Sequence, residues 1–165
     1  MLVETVRIRP IGAADWAGIA TLEHSVYAPK GLSEGQAVLE SKANASPETC
    51  FVLTSDEQIA GYVLAMPYPE GQFPDLDSPE AAGCASRNLH LHDLAIAAAF
   101  RGSGLAGRLL RHLTATARSR SYNRISLIAV AGSATFWSAN GFQPHPEIAL
   151  PASYGANAMY MSTAI

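Results

Sequence analysis

The sequence predicts a mixed α/β fold in a single domain. Apolar segments with strand-like patterning alternate with segments of helical periodicity, in the order β-α-α-β-β-β-α-β-α-β-β. A length of 165 residues is typical of one domain, and no internal repeat or linker divides the chain. We therefore expect one domain over residues 1–165.

Five elements are predicted in the first half of the chain. Polar–apolar alternation predicts an opening strand, and apolar residues at helical spacing predict two helices. Asp15 is a candidate cap of the first helix, and Ser33 with Gln36 fits a capping box for the second. Two β-rich runs around residues 55–57 are typical of a hairpin. The predicted elements are a strand over Val3–Arg9, helices over Ala14–Val26 and Ser33–Ala45, and hairpin strands over Cys50–Thr54 and Gln58–Met66.

The second half begins after a long loop. Residues 67–88 contain prolines, glycines and acidic side chains, and a loop of this length is typical of function or disorder. Beyond it, an amphipathic helix and a short helix before Asn140-Gly141 alternate with apolar strands. The predicted elements are strands over Leu89–Ile96, Arg124–Val130, Glu147–Leu150 and Ala158–Thr163, and helices over Ser103–Arg118 and Ser133–Ala139.

Composition excludes several classes of protein. Mean hydropathy is +0.10 and only 15% of residues are charged, which excludes a charge-swollen disordered chain. No apolar run is long enough to span a bilayer, and the N-terminus lacks the apolar core of a secretory signal. Two cysteines do not make a disulfide framework, so we expect a cytoplasmic protein that contacts no membrane.

The net charge of −3 is the sum of two unlike halves. Residues 1–93 carry 13 acids and five bases, whereas residues 94–165 carry six arginines and one acid. All six arginines lie between Arg101 and Arg124. This asymmetry predicts an anionic ligand for the second half and favours a cationic one for the first, although a solvated basic helix face would look the same.

The strongest local signal is the glycine-rich segment Phe100-Arg101-Gly102-Ser103-Gly104-Leu105-Ala106-Gly107. Glycines allow a tight turn, and the helix that follows presents free N–H groups and its positive dipole end. These features suit a pyrophosphate. The segment lacks the Gly-Lys-Ser/Thr ending of a Walker A loop, and its spacing differs from a dinucleotide-binding fingerprint.

Two motifs resemble those of a known superfamily. Arg101-x-x-Gly104-x-Ala106 is similar to the Arg/Gln-x-x-Gly-x-Gly/Ala signature of the GNAT superfamily of acyl-CoA-dependent N-acyltransferases. Residues 136–142, Phe-Trp-Ser-Ala-Asn-Gly-Phe, resemble that family's Phe-Tyr-x-x-x-Gly-Phe motif. The element order agrees along nearly the whole chain. The resemblance implies a GNAT-like fold, with a mixed central sheet of about six or seven strands flanked by about four helices.

The resemblance also implies acetyl-CoA as the acyl donor and no metal. Backbone N–H groups of the glycine-rich segment would hold the pyrophosphate, and the pantetheine arm would pair with the strand before it. The cofactor-binding residues expected on this basis are Leu94, Ala95, Ile96, Arg101, Gly102, Ser103, Gly104, Leu105, Ala106, Gly107 and Phe136.

Residues 89–96, Leu-His-Leu-His-Asp-Leu-Ala-Ile, resemble the corresponding strand of the arylalkylamine (serotonin) N-acetyltransferase family. The resemblance implies that His90 and His92 deprotonate the amine. Residues i and i+2 on a strand share a face, whereas Asp93 would point to the other face unless a bulge turned the strand. His-x-His pairs also occur in metal sites, but Leu94 stands where a further aspartate ligand would be expected.

The sequence offers several candidates for the general acid. The family often has a tyrosine where this chain has Trp137, and an indole is a donor but not a usable acid. Tyr154, Tyr160 or Ser133 could supply a proton instead, and Tyr154 is our catalytic candidate. The thiolate could also leave unassisted, since a thiol with a pKa of about 8.5 is a fair leaving group.

We expect the acceptor to be a small primary amine that approaches the acidic loop. The carboxylates of this loop could attract a cation, and its Cys84 is not evidently activated. Two alternative functions stay open: an acyl-CoA-binding module without activity, and acetylation of protein N-termini or lysines. A homodimer stays open as the assembly. Nucleic-acid binding is not expected, because no aromatic-rich strand accompanies the arginines. The acids of this loop are Glu70, Asp75, Asp77 and Glu80.

Overall fold

The computed structural model describes residues 5–76 and 85–165. Seven strands form one mixed sheet in the order β1-β2-β3-β4-β5-β7-β6. The strands are β1 (Val6–Pro10), β2 (Phe51–Ser55), β3 (Gln58–Pro67), β4 (Asn88–Ile96), β5 (Arg124–Ala129), β6 (Gln143–Pro144) and β7 (Met159–Ala164). The helices are α1 (Trp16–Tyr27), α2 (Gln36–Asn44), α3 (Leu105–Ser119) and α4 (Ala134–Ala139). The predicted fold class is therefore confirmed.

The helices cover the two faces of the sheet. Helix α3 packs its leucine stripe on one face and leaves its arginines toward solvent, as its amphipathic spacing predicts. Helices α1 and α2 pack on the other face, where Ile19 and Leu39 are fully buried against Tyr62 and Leu64 of β3. Burying one such aliphatic side chain is worth about 1.5–3 kcal/mol, so these two layers hold the sheet between them.

The only parallel neighbours among the described strands, β4 and β5, separate partway along their length. They pair from Asn88 opposite Arg124 to Leu91 opposite Leu127, and no pair follows although β4 continues to Ile96. The carbonyl and amide groups of β4 beyond Leu91 are thus not occupied by β5. This V-shaped opening lies directly before the glycine-rich loop.

A β-bulge interrupts β4 at the predicted histidines. Asp93 lies opposite Leu64, but the next pair is Leu91 with Ala65, which leaves His92 as an extra residue. The extra residue shifts the alternation of side chains. Leu91 and Leu94 both pack toward the α3 layer, whereas Asp93 lies on the α1/α2 side and bonds Tyr62.

Some predicted boundaries are wrong for local reasons. Residues 147–150 form no strand, and the short β6 pairs with β7 in their place. Helix α2 begins at Gln36 after Gly35, and Ser33 donates to Glu23 Oε1 at 2.6 Å instead of capping the helix. Asp15 precedes α1 but makes no capping bond, because its carboxylate binds Arg9. In the described ranges, no helix is long and apolar enough to cross a membrane.

Candidate active site

The glycine-rich loop has the geometry of an anion cradle. Gly102 and Gly104 have φ of 82° and 78°, a region that L side chains rarely adopt, and a Cβ on either would meet no atom within 4 Å. The space above the loop is therefore open to a ligand. The first turn of α3 has N–H groups with no partner within the helix, and Arg101 flanks them. These features suit a pyrophosphate, and binding of a pyrophosphate at the loop stays a prediction.

A cavity of about 570 Å³ connects this loop to the α1/α2 side of the sheet. It runs along the part of β4 that has separated from β5, which is where the resemblance places the pantetheine arm. Its walls include all the predicted cofactor-binding residues except Ser103. His92 and Tyr154 also line it, but His90 does not. At the end opposite the loop, the walls are formed by Tyr27, Lys30, Leu32, Glu34 and Leu76.

His92 is held by a buried carboxylate. Its Nε2 lies 2.7 Å from Glu34 Oε2, and the two side chains are only 1% and 3% exposed. Burial alone would raise the pKa of Glu34, but the charges and hydrogen bonds of His92 and Lys42 lower it below its usual value. Glu34 is therefore a carboxylate that only accepts, so Nε2 carries the hydrogen and Nδ1 of the neutral ring carries a lone pair. Nδ1 is buried and has no partner within the described residues.

Lys42 completes this arrangement from α2. Its ammonium is fully buried and bonds Glu34, the carbonyl of Asp75 at 2.6 Å and that of Leu76 at 2.7 Å. An ammonium has three N–H donors, and these partners use all of them. Lys42 thus fixes Glu34 and ties the start of the acidic loop to α2.

Asp93 lies next to His92 on the same side of the sheet. Tyr62 donates to its Oδ2 at 2.6 Å, while Oδ1 is buried without a partner among the described residues. Burial raises the pKa of Asp93 to about 7, against the hydrogen bonds of Tyr62 and Tyr27 and the charge of His92. Burial and the charge of Asp93 in turn raise the pKa of Tyr27 well above its usual value.

His90 is in a different environment from His92. It is 1% exposed, stacks on Tyr160 with ring centroids 6.3 Å apart, and its Nδ1 lies 2.9 Å from Ser126 Oγ. Burial lowers its pKa to about 3, with smaller effects from the charges of His92 and Lys42. The structure therefore does not bring the two predicted histidines into one cavity.

The hydroxyl groups of the candidate acids all form hydrogen bonds, but only that of Tyr154 is seen to donate its hydrogen. Tyr154 lines the cavity, but its hydroxyl donates to the carbonyl of Pro74 at 2.6 Å. Tyr160 accepts from the amide of Gly71 at 2.9 Å. Ser133 lines the cavity and accepts from the amide of Val130 at 3.1 Å. Trp137 is 7% exposed and packs edge-on against Phe136 and Phe142, which supports a packing role.

The two described acids of the acidic loop, Glu70 and Asp75, do not line the cavity. Glu70 pairs with Arg124 at 2.6 Å, and Asp75 contributes its backbone carbonyl to Lys42. Asp77, Glu80 and Cys84 lie outside the described residues. Within residues 5–76 and 85–165, no cluster of histidine, cysteine or acidic residues could hold a metal ion.

The mixed sheet, the glycine-rich loop before α3 and the separation of β4 from β5 are together typical of enzymes that use acyl-CoA. Residues 16–142 match the model of the acetyltransferase (GNAT) family, and the chain belongs to this family. It is an acetyl-CoA-dependent N-acyltransferase. No curated protein matches the chain.

Solved structures with the same fold have diverged far in sequence. Ard1 from Thermoplasma volcanium is 17% identical, with a TM-score of 0.77 and 97% of each chain covered. N-acetylglutamate synthase from Neisseria gonorrhoeae, complexed with coenzyme A and N-acetyl-glutamate, is 21% identical with a TM-score of 0.74. That match covers 97% of this chain and 35% of the synthase. The ribosomal-protein-S18-alanine N-acetyltransferase from Escherichia coli is 15% identical with a TM-score of 0.63, covering 98% and 94%.

Sequence reasoning missed three polar residues of the site. Glu34 and Lys42 are separated from His92 by dozens of residues, so no local spacing connects them to it. Asp93 was assigned to the opposite face, and only the bulge in β4 brings it to the cavity. The one local signal for these residues in the sequence is the position of Asp93, directly after His92.

Proposed function

We propose that the chain transfers an acetyl group from acetyl-CoA to a small primary amine, with Nδ1 of His92 as the proton acceptor. One observation carries this proposal: Nδ1 is buried and unpartnered within the described residues, while the other ring nitrogen is bound to Glu34. A histidine oriented by a carboxylate is a recurrent general base. His90, with a pKa of about 3 and no position on the cavity wall, is not part of this mechanism.

Amide formation requires a neutral amine, and His92 supplies the means to form it. An alkylamine has a pKa near that of lysine, about 10.4, so nearly all of it is protonated at pH 7. Transfer of one proton to Nδ1 makes an imidazolium, which the Glu34 carboxylate stabilises through Nε2. The neutral amine can then attack the thioester carbonyl that acetyl-CoA supplies.

Residues of the chain hold the donor without taking part in proton transfer. The cradle from Gly102 to Gly107 and the side chain of Arg101 would bind the pyrophosphate. Leu94, Ala95 and Ile96, on the separated part of β4, would face the pantetheine arm, with Phe136 on the other wall. The thiolate needs no acid from the chain, because a thiol of pKa about 8.5 is a fair leaving group.

The acceptor end of the cavity favours a small substrate over a protein terminus. Lys42 ties the backbone of Asp75 and Leu76 to α2, so the start of the loop covers the end of the cavity beside Glu34. Tyr27 and Leu32 add apolar surface suited to an alkyl or aryl chain. Acetylation of a protein N-terminus, the reaction that the name of the Escherichia coli neighbour states, is the alternative to be tested.

The test combines an acceptor screen with one variant. Wild-type protein, acetyl-CoA and a thiol reagent are incubated with alkylamines, arylalkylamines, amino acids and a peptide with a free N-terminal alanine. His92→Gln retains an amide at the position of Nε2, and therefore the bond to Glu34, but removes the acceptor Nδ1. We expect kcat/KM for the best small amine to fall by about 100-fold at pH 7 and to recover partly at pH 9, where more amine is neutral.

His24→Gln is the matched control, because His24 lies exposed on α1 away from the cavity walls. It should leave the kinetics unchanged. Turnover of the peptide but of no small amine would contradict the proposed substrate class. A His92→Gln variant with wild-type kcat/KM would contradict the role of His92.

A further inference from the structure

Two neighbouring side chains that line the cavity each contain a buried polar atom without a partner among the described residues. Three buried side-chain atoms lack any partner within the described residues: Asn88 Oδ1, His92 Nδ1 and Asp93 Oδ1. Two of the three belong to adjacent residues that line one cavity. A buried acceptor without a donor destabilises the fold, and a charged one does so more strongly. Such a pair is therefore a candidate binding point for a donor group.

The backbone of β4 is arranged so that Asp93 reaches this wall. In a regular strand, Asp93 would share the face of Leu91 and enter the apolar layer under α3. The extra residue at His92 turns it to the α1/α2 side, where Tyr62 holds one carboxylate oxygen and the other stays unpartnered. Packing alone does not require a carboxylate at this position, and an apolar residue would avoid the cost of burying one.

No cation of the described chain satisfies Asp93. Lys42 is the buried lysine nearby, but its three donors are used by Glu34 and by two loop carbonyls. Lys30, at the cavity wall, lies over the ring of Tyr27 at 5.9 Å and is exposed. The Tyr27 hydroxyl also interacts with the Asp93 carboxyl, although it donates to the carbonyl of Leu94 at 3.3 Å, and it brings no positive charge. A cation for Asp93 would therefore have to enter the cavity.

Both unpartnered atoms are acceptors, and this defines the chemistry of their partner. Nδ1 of neutral His92 holds a lone pair, and the ionised form of Asp93 can only accept. Burial favours the protonated form and raises the pKa of Asp93 to about 7, but a cation bound beside the carboxyl would stabilise the ionised form. A single protonated amine nitrogen, which has several N–H groups and a positive charge, can donate to both. A hydroxyl has one hydrogen and no charge, so it can satisfy only one of them.

We infer that Asp93 binds the ammonium form of the acceptor amine and holds it against Nδ1 of His92. This inference rests on the proposed function and identifies the substrate class as cationic alkylamines, in preference to neutral arylamines or alcohols. The ammonium nitrogen donates one N–H to Asp93 Oδ1 and a second to Nδ1. The second proton moves to His92, and the first bond keeps the resulting amine in place for attack.

The experiment compares two acceptors in wild type and in Asp93→Asn. Asparagine keeps an oxygen for Tyr62 and removes the charge. The acceptors are an alkylamine that is cationic at pH 7 and an arylamine of similar size that is neutral. We expect the ratio of kcat/KM for alkylamine to kcat/KM for arylamine to fall by about 100-fold in Asp93→Asn, since loss of a buried charge partner is costly to binding. KM for acetyl-CoA should change less than about threefold, because Asp93 lies at the acceptor end of the cavity.

Asp56→Asn is the matched control, because Asp56 lies exposed in the β2–β3 turn. It should leave the ratio unchanged. If Asp93→Asn does not fold, Asp93→Ser tests the same loss of charge, and its ratio should fall likewise. An unchanged ratio in a folded Asp93 variant, with wild type active on alkylamines, would overturn this inference and leave the proposed function standing. A wild type that acetylates no amine would overturn both.

Discussion

At the scale of single residues, burial without a charged partner separates His90 from His92. His90 is enclosed by aromatic rings and bonded to a neutral hydroxyl, so the protonated form is disfavoured and its pKa falls to about 3. His92 lies 2.7 Å from the Glu34 carboxylate, which fixes the orientation of the ring through Nε2. The same side chain two positions apart therefore serves as structure in one case and as the candidate base in the other.

His90→Asn should reduce stability but not catalysis. Asparagine retains a polar group at the position of Nδ1 toward Ser126, but it loses the ring contacts with Tyr68 and Tyr160. We expect the free energy of unfolding to fall by about 2 kcal/mol, as measured by urea denaturation at pH 7. The kcat for the best amine, measured well below the unfolding midpoint, should stay within about threefold of wild type. A loss of kcat comparable to that of His92→Gln would restore His90 to the proton path.

At the scale of elements, the strand β4 explains both what the sequence predicts well and what it does not. The periodic spacing of α3 and the turn chemistry around Gly102 and Gly104 are local, so helix, loop and cradle follow from neighbouring residues. The bulge at His92 depends on pairing with β3, about 30 residues earlier, and alternation alone assigns Asp93 to the wrong face. The strand predicted over residues 147–150 failed for a related reason, because the edge of β7 pairs with Gln143 and Pro144.

The contact between α2 and the start of the acidic loop depends on one residue. Lys42→Met leaves Glu34 with His92 as its remaining ionisable hydrogen-bond partner and leaves the carbonyls of Asp75 and Leu76 without their donor. Removing one member of a buried ion pair is strongly destabilising, so we expect a loss of about 3 kcal/mol in the free energy of unfolding, measured by urea denaturation.

Lys30→Met is the control for this prediction, because Lys30 is the chain's other lysine and is exposed. Its free energy of unfolding should change by less than about 0.5 kcal/mol. Equal effects of the two substitutions would show that Lys42 does not hold the loop to α2.

At the scale of the whole molecule, the acidic and the basic half of the chain both contribute residues to the cavity walls, but the acidic residues are not the ones expected. In the basic half, Arg101 and the first turn of α3 line the cavity, and anion binding there stays a prediction. On the acidic side, the carboxylates on the cavity wall are Glu34 and Asp93, not the described acids of the loop. Negative charge therefore reaches the acceptor end through buried side chains, where solvent screens it little.

Burial of Asp93 and His90 makes the free energy of unfolding depend on pH in two opposite ways. Between about pH 4 and pH 6.5, Asp93 keeps its proton in the folded state, with a pKa of about 7, but loses it in the unfolded state. Its contribution to stability thus falls as pH rises. His90 does the opposite, because the unfolded chain binds a proton below about pH 6.5 and the folded chain, with a pKa of about 3, does not. The two slopes are each about 1.4 kcal/mol per pH unit and oppose one another in the wild type.

Removing either group should expose the slope of the other. For Asp93→Asn, the free energy of unfolding relative to wild type should rise with pH, by about 1.4 kcal/mol per unit between pH 4.5 and 6. For His90→Asn, the same difference should fall with pH by a similar amount. Urea denaturation at four pH values in this interval measures both. Difference profiles that stay flat would mean that neither group keeps its altered pKa in the folded protein. A rising profile for Asp93→Asn, together with its loss of alkylamine turnover, would show that the carboxylate is kept for its ligand at the expense of stability at neutral pH.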